Sequence, residues 1–88
     1  MPQYSRTVGT TPTLLVASNN RRMTITFNNN GGYAVYLGNN RQITTGVGFP
    51  LPIGASQMWT FKDDGKQVRE NFFGVAAANV DVRVTTDA

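Results

Sequence analysis

The chain has 88 residues with eight basic and five acidic side chains, a formal net charge of +3, and no Cys and no His. Without those two residue types the Ser-His and Cys-His nucleophile pairs, disulfide staples and most zinc sites are excluded. A chain this short forms one domain with a small core, so association with further subunits is the remaining common route to extra stability.

Met1 to Arg6 is read as a polar N-terminal arm, and residues 7–88 as a single β domain. Residues 1–10 lack the apolar core of a secretory signal, and no apolar run approaches the ~20 residues of a membrane span, so no membrane partner is expected. A first strand is expected from Thr7 to Thr10, and Thr13 to Ala17 reads as a buried strand bounded by Pro12 and by Ser18, Asn19 and Asn20. From Arg22 to Leu37 the pattern reads as a complete β-hairpin. Met23, Ile25 and Phe27 alternate with Thr24, Thr26 and Asn28, and Tyr33, Val35 and Leu37 resume the alternation. Between them Asn29-Asn30-Gly31-Gly32 offers residues that tolerate the positive φ of hairpin turns.

A polar loop from Asn39 to Gly48 follows, in which only Ile43 and Val47 are large apolar residues. Pro50 and Pro52 then restrict Phe49 to Gly54 to an edge strand or an extended strap, because neither can donate to a ladder. Gln57 to Phe61 alternates with Trp59 and Phe61 on one face, and Asp63-Asp64-Gly65-Lys66 reads as a tight turn. Gln67 to Ala77 and the alternating Val80, Val82 and Val84 complete the set, with no amphipathic helix. Seven or eight short strands with frequent turn signals predict an all-β fold: a single small antiparallel β-sandwich, jelly-roll-like.

Candidate chemistry is sparse. Asp63-Asp64 is the one adjacent carboxylate pair, and it sits in an expected exposed turn with no pocket to separate two pKa values and no run of oxygen ligands. Gly46-Val47-Gly48 leads into a proline-rich strand rather than a helix N-terminus, so it reads as a turn and not a phosphate loop. No catalytic, cofactor or metal residue is assigned. Basic residues are scattered, which argues against a nucleic-acid surface of the stacking kind. Strand alternation directs most aromatics inward and leaves Tyr36 and one of Phe72-Phe73 as expected surface aromatics. Together with Phe49 of the strap and Tyr4 and Arg6 of the arm, Tyr36 and Phe72 form the expected subunit interface.

The order Thr7 to Ala17, Arg22 to Asn28, Tyr36-Leu37-Gly38, Phe49 to Gly54 and Val80 to Val84 resembles small β-domains of tailed-phage virions, namely capsid decoration (cement) proteins and the head-proximal parts of phage fibres. The resemblance implies a non-enzymatic structural protein on the outer capsid surface, bound to the major capsid protein. With no repetitive extension after Ala88, decoration is expected rather than a fibre. A homo-trimer is the expected state, since three copies at a local symmetry axis bind with avidity. The alternatives are a carbohydrate-binding domain using Tyr36 with Asn39 and Asn40, a nucleic-acid-binding domain, or a head-fibre or tail attachment module.

Overall fold

Val80, Val82 and Val84 are fully buried while Asp81, Arg83 and Thr85 face outward, so the last strand has one core face and one solvent face. The computed structural model describes residues 3–87, apart from the side chains of Tyr4, Asp63, Asp64 and Lys66. Its strands are β1 (Gln3–Val8), β2 (Thr13–Val16), β3 (Thr24–Asn29), β4 (Val35–Gly38), β5 (Phe49–Leu51), β6 (Ser56–Thr60), β7 (Phe72–Ala76) and β8 (Val80–Thr86). One sheet has the order β1-β8-β3-β6 and the other β2-β7-β4-β5. All pairs are antiparallel. The pairs β1–β8, β2–β7, β3–β6 and β4–β5 are nested, as when one long two-stranded ribbon is rolled up, and this makes the sandwich a jelly roll. The core between the sheets is built from Val8, Leu15, Ile25, Phe27, Leu51 and the β8 valines, among others.

The apparent hairpin from Arg22 to Leu37 does not form. β3 and β4 lie in different sheets, so residues 30–34 turn a corner of the sandwich instead of joining neighbours. The buried Asn29 side chain holds that corner: its amide donates to the carbonyls of Tyr33 (2.8 Å) and Leu51 (2.9 Å), and its oxygen accepts from Gly31 N–H (3.0 Å). Positive φ occurs at Gly54 and Gly65 and not at residues 29–32. Gly31 is needed for space, because a Cβ there would lie 2.6 Å from Val80 Cγ1. Met23 and Tyr33, expected inward, are 44% and 50% exposed, because each lies before its strand, where the alternation of β3 and β4 does not extend.

Three further expectations change. Residues 3–6, read as an arm, lie within β1 and pair with β8 from Gln3↔Thr85 onward; Met1 and Pro2 lie outside the described residues. Backbone pairing to the edge that β8 otherwise leaves free holds residues 3–6 there. In β2, Leu15 is buried but Leu14 is exposed, and the register shifts between Leu14 and Val16. The Asp63–Lys66 turn is helical: α1 (Phe61–Asp64) runs into a 3₁₀ turn over Gly65–Arg69, so β7 begins only at Phe72. The connection must pass from one sheet to the other, and it inserts Val68, fully buried, into the core on the way.

The proline-bearing β5 is an edge strand paired with β4 alone, as its sequence requires. Both Phe72 and Phe73 are buried. Phe72 joins the main core, whereas Phe73 and Val75 form a second cluster on the outer face of their sheet, roofed by Ile43 from the long loop and flanked by Tyr36. Gly38 makes the roof fit, since a Cβ there would collide with the Ile43 side chain.

Candidate functional site

β5 and β6 are the edges of the two sheets on the same side of the sandwich, and a pocket opens between them. Trp59 on β6 pairs with Ile25 and points its ring inward, meeting Phe27 edge-on (centroids 5.6 Å, 70°) and stacking on Phe72 (5.6 Å, 27°). Phe49, at the start of β5, closes on Trp59 edge-on from outside (5.2 Å, 72°) and remains 45% exposed. Between these rings lies a pocket of about 180 Å³ whose other wall is Gly38, Asn39 and Gln67. The Asn39 amide donates to the carbonyls of Asn71 (3.0 Å) and Gln67 (3.3 Å), tying the end of β4 to the connection before β7. Around this side Val47, Ile53 and Met58 are also exposed, on β6 or on the segments flanking β5.

The expected interface residues do not form one patch. Phe49 and Phe72 both line the pocket, Phe49 at the rim and Phe72 as a buried floor, so Phe72 is a core residue and not a surface anchor. It faces inward because β7 packs both faces, and the outward position went to Phe73. Tyr36 sits on the outer face of its sheet, half-buried against the cluster containing Ile43, Phe73 and Val75. Arg6 lies on the far side, where its Nε donates to the Leu15 carbonyl (3.5 Å) and so bridges the two sheets. The Tyr4 side chain lies outside the described residues, as do those of Asp63 and Asp64. Asn40 binds the N–H of Gln42 (2.8 Å), and Asn39 turns to residues 67–71, so the Tyr36–Asn39–Asn40 grouping is not assembled.

A second polar cluster was not apparent in the sequence. Arg22 is 1% exposed, and its guanidinium donates to the carbonyls of Ala17, Val68 (3.0 Å) and Glu70 (3.2 Å). Arg69 returns a bond to the Arg22 carbonyl (3.0 Å) and lies over the Phe61 ring at 3.8 Å. Near the chain end, the Asp87 carboxylate accepts from the amides of Met23 (3.0 Å) and Thr24 (3.1 Å). Desolvation is the largest single influence on Asp87 and opposes its ionisation, but the Thr24 and Met23 amides, its own amide and the Arg22 charge together outweigh it, so its pKa lies below the ordinary 3.8. By alternation Arg22 shares the outward parity of Thr24 and Thr26, so no local pattern signalled its burial, which comes from the connection before β7 lying over it. This cluster is a structural clasp: the Arg22 Nη groups and Arg69 Nε are turned onto backbone carbonyls of neighbouring segments.

Among the described residues, no three His, Cys, Asp or Glu side chains gather as a metal site, and the one ion pair found is the exposed Arg83–Asp81 contact (3.6 Å). Searches of family models, curated proteins and solved structures give no match for this chain.

Proposed function

We propose that this protein is a structural component of a tailed-phage virion, a decoration (cement) protein that binds the outer head surface as a trimer and bridges neighbouring major capsid subunits. A jelly roll by itself hosts unrelated functions, including capsid and lectin domains, so the fold carries no part of this reading alone. The observation that carries it is the distribution of contact-ready surface on a scaffold whose sequence lacks His and Cys: the exposed Val47, Phe49, Ile53 and Met58 along one side, and an unguarded strand edge on the other.

The unguarded edge follows from hydrogen-bond alternation. Asn29 N–H reaches Ala55 O and Asn30 N–H reaches Asp81 O (both 2.9 Å), so odd positions of β3 bond to β6 and even ones to β8. β8 therefore uses Asp81, Arg83 and Thr85 toward β3 and Val80, Val82 and Val84 toward β1. In β1 this leaves the backbone groups of Gln3, Ser5 and Thr7 directed away from the sheet. The other edges are blunted: β5 by Pro50, β2 by its register shift, and β6 by the Gln57 side chain, which donates to the Met58 carbonyl (3.1 Å). A shell protein meeting both sides of this sandwich would be clamped through apolar contacts on one and backbone pairing on the other.

Two measurements test the reading. Native mass spectrometry should give the mass of three chains at micromolar protein, and the purified protein should co-sediment with expanded phage heads and raise their resistance to heat. A protein that neither sediments with heads nor occurs in purified virions is not a cement protein.

A further inference from the structure

The pocket beside Phe49 has two chemically different walls. One is apolar and mostly aromatic, formed by the Phe49 rim, the Trp59 indole, the Phe72 floor and Leu37; the other carries the side-chain amides, with Asn39 and Gln67 beside Gly38. Its volume of about 180 Å³ is close to that of a dry cavity of ~150 Å³ that holds one benzene ring, so it has room for a single six-membered ring. The polar wall retains hydrogen-bonding capacity. Asn39 spends its amide hydrogens on Gln67 and Asn71 and keeps its carbonyl oxygen, and the side chain of the exposed Gln67 makes no bond to another described residue.

A purely apolar ring would cover these groups without pairing them, which costs affinity. A pyranose matches both walls. Its C–H face is apolar enough to lie on aromatic rings, and its rim of hydroxyls donates and accepts. We propose that this pocket is a carbohydrate subsite that takes one pyranose ring, packed on Phe49 and Trp59 and hydrogen-bonded by Asn39 and Gln67. The proposal is independent of the virion reading, since a cement protein with or without such a subsite would still sediment with heads.

Trp59 is the sole tryptophan, so its emission reports on the pocket directly. The full chain is titrated with the methyl glycosides of glucose, galactose, mannose and N-acetylglucosamine, with benzyl alcohol as the apolar control. The expected result is a saturable change in emission with at least one glycoside, with Kd on the order of 1 mM. Gln67→Ala, at an exposed position that leaves the core intact, should weaken that binding about three- to tenfold, and Phe49→Ala should do at least as much. Far-ultraviolet circular dichroism checks that both variants are folded. The proposal is overturned if no glycoside gives saturation up to about 100 mM, whether or not benzyl alcohol binds. It is equally overturned if a glycoside binds with the same affinity to wild type and to both folded variants, because the site then lies elsewhere.

Discussion

The connection from β6 to β7 borders two regions that treat polar groups in opposite ways. On its Val68–Glu70 side the buried Arg22 guanidinium gathers three backbone carbonyls from two segments and Arg69 closes over Phe61. On its Gln67 side the sheets stay apart, leaving an aromatic pocket whose side-chain amides are only partly engaged. The first arrangement turns the Arg22 Nη groups and Arg69 Nε onto backbone carbonyls and is scaffold. The second keeps polar groups for something outside. The arginines thus tie the scaffold together, whereas the aromatic pocket leaves side-chain amide groups open to a ligand.

Variants can break or sharpen this contrast. Arg22→Leu should have the largest effect, since it strands the Ala17, Val68 and Glu70 carbonyls in a buried setting; a loss of about 3 kcal/mol or more is expected in urea denaturation. Arg22→Lys should recover only part, because a single ammonium has neither the planar fork nor the reach for three acceptors. A loss under about 1 kcal/mol for Arg22→Leu would dissolve the distinction between clasp and pocket. Phe49→Ala removes a half-exposed edge-to-face contact and should cost about 1 kcal/mol, with the Trp59 emission shifted toward that of a more hydrated indole.

The smallest effect is expected at Asp87, where the carboxylate is solvent-exposed. Its folded pKa is depressed below 3.8, so its contribution is present at neutral pH and is lost as pH falls through and below that value. Asp87→Asn should therefore cost less than about 1 kcal/mol at pH 7 and flatten the acid limb of the stability profile below about pH 4. An unchanged acid limb would mean that the carboxylate does not clasp the Met23 and Thr24 amides in solution.

Much of the fold was legible in the chain. Period-two alternation placed Ile25 and Phe27, Val35 and Leu37, and Val80, Val82 and Val84 on core faces, and Pro50 marked an edge strand, because these follow from backbone geometry within a few residues. Little of the candidate site was. Phe49 was singled out, but Trp59 and Gln67 were read as core and strand, and Asn39 was grouped with Tyr36, which faces the other side of the same sheet.

The sequence by itself determined that this is a small antiparallel all-β domain without the residues for disulfides or histidine-based catalysis, since composition and alternation are local properties of the chain. Only the tertiary structure decided which strands are neighbours. Alternation says that a residue faces a core but not which sheet carries it, so β3 and β4 looked like a hairpin until the nested pairing sent them to opposite layers. The same roll separated β5 from β6 and laid residues 61–71 across the gap. The clasp around Arg22 and the pocket under Phe49 arise from that crossing, through contacts such as Arg22 to Val68, 46 residues apart, and Asn39 to Gln67, 28 apart, that no local pattern encodes.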